Sequence, residues 1–238
     1  MNGPIISVIG TAIKTQYWLE FHSILSDGND IPFEIVFVGN VRPSFSLPEN
    51  FIYIYSEAEP MQCMEIACRN SKGEYVMITA DDLLLPPMML NTMYSFVRRM
   101  LNDKTVVMAR FADTIDGSPC DQLSVFDTRN PDSPIVGVNT IIKRSVWQAL
   151  GGLDRRFLGI NGGVDIQMRV YEAGGHPFIV PNCLTREKPH SDVRLIDKYV
   201  DPDFKTLYSF WVLPDGSTSR KRLDSVQPYL DHEIPIVR

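Results

Sequence analysis

Few residues in the sequence combine the type and placement that chemistry requires. Asp81 and Asp82 stand side by side at the end of the apolar run Glu74-Tyr75-Val76-Met77-Ile78-Thr79-Ala80. Two carboxylates at the end of a buried strand repel each other unless a positive group neutralises them. An oxygen-seeking divalent cation with a phosphate-bearing ligand would do so. The plainer readings are that Asp82 caps the helix beginning near Pro86, or that both carboxylates are solvated. Asp165 follows Gly162-Gly163, which let the backbone turn sharply and set the carboxylate near a helix N-terminus at the open edge of a sheet. An ordinary carboxylate stabilised by the helix dipole would sit in the same place. His190 follows a loop holding Arg186, Glu187, Lys188 and Pro189, where a histidine is a metal ligand or a surface residue.

Alternating strands and helices must position these groups. Pro4–Gly10 is a β-branched run stopped by glycine, and Trp18, Leu19, Phe21, His22, Ile24 and Leu25 then recur at helical spacing up to Asp27-Gly28. Phe33–Gly39, Phe51–Tyr55 and Glu74–Ala80 repeat the strand signal, and a helix over Met61–Asn70 follows Pro60. Such alternation predicts parallel βαβ units with right-handed crossovers and ligands at the carboxyl ends of the strands. A helix from Pro86-Pro87 to Met100 follows, with a methionine-rich apolar stripe that reads as core filling. Beyond it come strands at Thr105–Phe111, Ile135–Lys143 and His176–Pro181, and helices at Ser145–Leu150, Val164–Ala173 and Phe204–Val212. The tail from Asp215 to Arg238 is polar and reads as mobile.

The fold class is therefore α/β: one domain with an open, mostly parallel twisted sheet flanked by helices and an irregular C-terminal segment. With 238 residues, of which 44% are hydrophobic, the chain is too apolar for a disordered protein. A formal net charge of −6 gives no global basic field for nucleic acid or anionic lipid. Charges and prolines interrupt every apolar stretch short of the ~18 residues a spanning helix needs. Cys63, Cys68, Cys120 and Cys183 have no repeated spacing and read as reduced thiols, so the expected compartment is the cytoplasm.

The order of the motifs carries more than any one of them. Strand-terminal Asp81-Asp82 before Leu-Leu-Leu-Pro-Pro is followed by Gly151-Gly-Leu-Asp-Arg-Arg-Phe157, by Gly162-Gly-Val-Asp-Ile-Gln-Met-Arg-Val-Tyr-Glu-Ala-Gly-Gly175, and by a late histidine. This resembles the family 2 glycosyltransferases of GT-A fold from about Pro4 to His190. The resemblance implies a GT-A-like domain over residues 1–190, with a donor half of about 1–104 and an acceptor half of about 105–190. Residues 191–238 would form a C-terminal helix and tail, a candidate lid. It implies inverting transfer of a sugar from a nucleotide-diphospho-sugar, UDP ahead of GDP, to a hydroxyl of a glycan, glycolipid or glycoprotein. Asp81 would hold Mn²⁺ or Mg²⁺ with His190, and Asp165 would be the general base. Gly10, Thr11, Ala12, Asn40, Thr79, Ala80, Asp81 and Asp82 would meet the donor, and Gly162, Gly163 and Val164 the acceptor. Arg186, Lys188, Arg194, Arg220, Lys221 and Arg222 read either as a basic segment over the diphosphate or as solvated surface.

The sequence departs from the family at four places: Ile9 leads into Gly10-Thr11-Ala12-Ile13-Lys14 where the family usually has Pro-Thr-Tyr-Asn or similar, and three more follow. Thr79 stands where the first acid of Asp-x-Asp would be, Val164 replaces the glutamate before Asp165, and Asn40 stands where the second strand commonly ends in acids. The Asn40 amide oxygen can still accept from a uracil N3–H. These departures leave a second reading, a non-catalytic nucleotide- or sugar-binding protein. A nucleotidyltransferase is disfavoured, because Gly10–Tyr17 offers only Lys14 and no glycine-rich phosphate loop.

Overall fold

The structure, a computed structural model, describes residues 3–119, 136–189, 197–219 and 221–237. Its strands are β1 (Ile6–Thr11), β2 (Phe33–Gly39), β3 (Phe51–Tyr55), β4 (Tyr75–Ala80), β5 (Leu83–Leu84), β6 (Val106–Ala112), β7 (Thr140–Lys143) and β8 (Pro177–Glu187). Its helices are α1 (Trp18–Ser26), α2 (Pro60–Arg69), α3 (Met89–Arg99), α4 (Arg144–Ala149), α5 (Gly162–Glu172) and α6 (Asp197–Trp211). The strands form one sheet of order β3-β2-β1-β4-β7-β6-β8-β5. β7 is antiparallel to β4 and β6, and β5 is antiparallel to β8; the other strands run one way, so the sheet is mixed.

Both faces of the sheet are covered, which is why the first strands read as continuous apolar runs rather than alternating ones. In β2, Ile35 and Phe37 pack with α1 and α3, while Val36 and Val38 point the other way toward α2. The second layer also takes in α4, α5 and α6 through Trp147, Ile166, Met168, Leu207 and Trp211. The connection from β1 runs through α1 to β2 on one side, and β3 leads through α2 to β4 on the other. The chain thus changes direction between β1 and β4, whose last residues Thr11 and Ala80 are register partners. A crevice outside the carboxyl ends of the strands belongs at such a switch point.

The second half differs from the sequence reading in three elements. The strand read over Ile135–Lys143 is confined, within the described residues, to Thr140–Lys143. β8 does not stop at Pro181: the pairing with β6 shifts between Ala109 and Arg110, then resumes from Leu184 to Arg186. An irregularity absorbs the proline that cannot donate to the ladder, and the strand carries Arg186 and Glu187 onward to pair with β5. Those two residues are therefore in a strand, not in a loop. α6 begins at Asp197 and keeps Pro202 inside it, whereas the apolar pattern alone starts at Phe204.

The segment read as a tail packs over its described residues. Arg69 Nη2 donates to the Tyr229 carbonyl at 2.7 Å, Gln62 Nε2 to the Glu233 carbonyl at 2.8 Å and Asn70 Nδ2 to the Pro235 carbonyl at 2.8 Å. Tyr229 and Ile234 join the core beneath α2. Cys63, Cys68 and Cys183 are buried free thiols, and Cys120 lies outside the described residues. Among the described residues no helix is long and apolar enough to cross a membrane.

Candidate functional site

At the β1/β4 switch point the chain presents Thr11, Ala12, Lys14, Ala80, Asp81 and Asp82. Trp18, the first residue of α1, anchors this edge. It is fully buried, with its ring 5.6 Å from Phe51, 5.7 Å from Phe37 and 5.3 Å from Tyr53. Its indole N–H donates to Asp81 Oδ2 at 2.9 Å, and the Lys14 backbone N–H donates to the same oxygen at 2.6 Å. Asp81 is only 4% exposed, and burial pushes its carboxyl up to about 6 against those two hydrogen bonds. The carboxylate thus fastens the β1–α1 turn to the end of β4. Asp82 sits nearer the mouth, where the Lys14 ammonium meets its Oδ2 at 2.6 Å. Lys188 ties the end of β8 to the same place, its N–H donating to the Asp82 carbonyl at 2.9 Å. Its ammonium lies 4.3 Å from the Tyr17 ring centroid and pairs with Glu20.

Asn40 lies exposed just past β2, where its amide donates to Glu57 Oε2 at 3.3 Å. Glu57 also accepts from the Tyr55 hydroxyl, and the Arg42 guanidinium stacks 4.3 Å from the Tyr55 ring centroid. Gly39 is required by its neighbour, because a Cβ there would lie 2.1 Å from the Ala12 carbonyl oxygen. Gly39→Ala is therefore expected to push the ends of β1 and β2 apart, lowering stability by about 1–3 kcal/mol in a denaturant titration. Wild-type stability in this variant would show that the two strand ends yield freely.

Other residues singled out from sequence lie away from this mouth. Gly10 is inside β1, with Phe37 and Thr79 on its flanks. Thr79 turns inward, its hydroxyl donating to Asn139 Oδ1 at 2.7 Å, and Asn139 in turn donates to Thr185 Oγ1 at 2.8 Å. That network holds Asn139 at φ 49°, a left-handed conformation costly for a side-chain-bearing residue. Thr79 is thus a structural hydroxyl, not a donor ligand. His190, Arg194 and Arg220 lie outside the described residues.

Asp165 is the largest departure. It is 0% exposed; Trp211 Nε1 donates to Oδ1 at 2.9 Å and Arg169 Nε to Oδ2 at 2.8 Å. Arg222 Nε lies 3.4 Å from Oδ1. Arg169 also donates through Nη1 and Nη2 to the carbonyls of Leu150 and Gly152, at 2.5 and 2.7 Å. Arg222 also reaches Asp154 Oδ2 at 2.5 Å and stacks 3.9 Å from the Phe210 ring centroid, so it is neither a surface charge nor a cover for a diphosphate. Asp165 therefore fastens α5 to α6 and to the segment around Arg222; it does not face an open acceptor cleft. The neighbouring Gly162 is buried beside Met61 and Leu153, and the side chain of Val164 packs against the core. The loop ahead of α5 is covered as well: Asp203 of α6 accepts from the backbone N–H groups of Leu158, Gly159 and Ile160 at 2.7–3.2 Å.

A divalent cation needs a set of oxygen or nitrogen donors turned toward one point. Here Asp81 Oδ2 is turned to Trp18 and Lys14, the Thr79 hydroxyl is turned to Asn139, and Asp82 carries an ammonium. Among the described residues no group of three or more His, Cys, Asp or Glu is arranged to hold a metal. The described residues do not by themselves fit the ion; His190, the other ligand that the resemblance implies, lies outside them. Sequence reasoning also passed over Lys14 and Trp18 as site residues, although Lys14 is the one cation between Thr11 and Tyr17.

No protein-family model matches the sequence, and no curated protein matches it. Solved structures do match it. Residues 1–349 of S. aureus TarS in complex with UDP-GlcNAc align over 86% of this chain and 64% of that one, with a TM-score of 0.64 at 13% identity. The same TarS piece with UDP gives a TM-score of 0.59 at 14% identity, over 86% of this chain and 72% of that one. GalNAc-T7 with UDP, GalNAc and Mn²⁺ aligns over 90% of this chain and 49% of that one, with a TM-score of 0.64 at 12% identity. The fold is that of the GT-A glycosyltransferases, and the chain spans less than two thirds of the TarS–UDP-GlcNAc and GalNAc-T7 structures.

Proposed function

We propose that the chain is a glycosyltransferase that moves a sugar from a nucleotide-diphospho-sugar, UDP ahead of GDP, to a hydroxyl of a glycan-type acceptor. The observation that carries this reading is the edge at the carboxyl ends of β1 and β4, where Thr11, Lys14 and Asp82 stand, in a fold whose solved neighbours were captured with UDP-GlcNAc and with UDP and GalNAc. The donor half, about 1–104, supplies every one of those residues. The Asn40 amide hydrogen is given to Glu57, which leaves the amide oxygen to accept from a uracil N3–H. In the transfer, the acceptor oxygen bonds to the anomeric carbon as the bond from that carbon to the diphosphate breaks, the nucleoside diphosphate leaving with the electron pair and the hydroxyl proton passing to solvent. The negative charge that develops on the diphosphate falls at the Lys14 end of the crevice.

The resemblance also implies a divalent cation and inversion with Asp165 as base. The described donor set, which lacks His190, does not by itself fit the ion. Asp165 already accepts on both oxygens, so the acceptor's proton is not assigned to it. That same closure favours a second reading, a nucleotide-sugar-binding protein without transferase activity.

Release of UDP or GDP from a panel of UDP- and GDP-sugars separates the two readings. Transferase activity gives release of one nucleotide, accelerated by an acceptor oligosaccharide. Saturable donor binding without release supports the second reading, and no binding of any donor overturns both.

A further inference from the structure

We propose that the outer face of α6 is a saccharide-binding platform, on which the acceptor glycan lies while its end reaches the donor edge. The inference rests on the glycosyltransferase reading above and deepens it by placing the acceptor. Helical spacing gives α6 two faces. Tyr199, Asp203, Leu207 and Trp211, each four residues apart, are buried against the domain. Asp201, Phe204, Lys205 and Tyr208 recur at i, i+3, i+4 and i+7, which gathers them on one exposed stripe. Phe204 is 39% exposed and Tyr208 57%, their ring centroids 6.4 Å apart and their planes inclined by 33°. Among the described residues neither the Asp201 carboxylate, the Lys205 ammonium nor the Tyr208 hydroxyl has a hydrogen-bond or ion-pair partner.

This combination suits a sugar. A pyranose ring has an apolar C–H face, which the negative face of an aromatic ring attracts, and a rim of hydroxyls, which donate to a carboxylate and accept from an ammonium. A protein partner fits less well. The apolar part of the stripe is two half-open rings beside Leu158, itself 39% exposed. Together they offer on the order of 300 Å², against about 800 Å² per partner in a stable interface. Lysine and aspartate are also depleted at the centres of such interfaces.

A short run of hydrogen bonds joins the platform to the donor edge. Asp203 accepts from the Leu158 N–H at 3.1 Å, and the Leu158 carbonyl accepts from the Met61 N–H at 2.9 Å. The carbonyl of Pro60, one residue earlier, accepts from the Thr11 hydroxyl at 2.5 Å. Thr11 ends β1 at the switch point of the sheet. A ligand that lies on Phe204 and Tyr208 and ends at that edge is a chain of sugars rather than one sugar.

The test is calorimetric titration of the whole chain with maltohexaose, cellohexaose and chitohexaose, for wild type, Phe204→Ala, Phe204→Leu and Tyr208→Ala. UDP is titrated separately into wild type. Wild type is expected to bind at least one hexasaccharide with a dissociation constant of about 1 mM or tighter. Each substitution should weaken it about tenfold, Phe204→Leu included, because leucine keeps the apolar bulk without the π-face. Binding of none of the three sugars up to about 10 mM would overturn the proposal. So would a Phe204→Leu variant that binds like wild type. Self-association in sedimentation runs that Phe204→Ala abolishes would give the face to a second copy of the chain and overturn it as well. The UDP arm keeps the two readings apart: saccharide binding without UDP binding sinks the donor edge and leaves the platform, and UDP binding without saccharide binding does the reverse.

Discussion

Asp165→Asn is expected to lower the stability of the fold by about 3–5 kcal/mol, the range for removing one partner of a buried ion pair. The carboxylate has no exposed surface and joins three elements through Arg169, Trp211 and Arg222. Asparagine keeps the shape but not the charge, leaving two buried guanidinium groups facing a neutral amide. Arg222 would still have Asp154, while Arg169 would keep only backbone carbonyls. Urea titration of both proteins reads the loss as a shift in midpoint at unchanged slope. The role of catalytic base makes the opposite forecast: a variant of near-normal stability that has lost turnover. An unchanged midpoint would therefore return Asp165 to the reaction and remove it from the frame of the fold.

The second large effect concerns acidity. The Asp81 carboxyl rises from 3.8 to about 6 on folding, chiefly because burial disfavours its charged form. The folded protein thus holds this proton more tightly than the unfolded chain does. The stabilisation from that proton is whole below pH 3.8 and is lost as the pH climbs through about 6. Its size is about 3 kcal/mol, because each tenfold gain in proton affinity is worth about 1.4 kcal/mol. Asp81→Asn removes the titration while its amide oxygen can still accept from Trp18 and the Lys14 N–H. Comparing wild type with this variant at pH 4 and at pH 7, the difference should move by about 2 kcal/mol in the variant's favour at the higher pH, because the stabilisation is already partly lost at pH 4. Parallel pH profiles for the two proteins would mean that Asp81 is not held in the way described.

Much of the first half was legible from residues alone. β1, β2 and β4 are buried on both faces, so their apolar runs stand out, and Asp81-Asp82 marks a strand end by composition. The directions in which those acids point were not legible. They depend on Trp18, which lies 63 residues away in sequence and reads as one more apolar position of a helix. For Asp165 the sequence also contains the signal of a structural role: Arg169 stands four residues later, the spacing of an ion pair along one helix face. The paired glycines before it drew the reading toward a loop that serves chemistry. The extension of β8 past Pro181 and of α6 around Pro202 was hidden because each proline breaks a local rule that tertiary pairing overrides. Packing of residues 221–237 is not legible in the sequence because so much of it runs through backbone carbonyls, which carry no side-chain signature.

That clasp on α2 bears on how the domain is made. The strands β3-β2-β1-β4 can be assembled once about residue 80 has left the ribosome, and synthesis of a chain favours such N-terminal order. The outer side of α2 must wait. Gln62 meets its partner Glu233 across 171 residues of sequence, and Arg69 meets Tyr229 across 160. Until those last residues emerge, α2 keeps an apolar flank wet beside Tyr229's vacant berth, and during that interval the nascent chain depends most on whatever shields it from its neighbours.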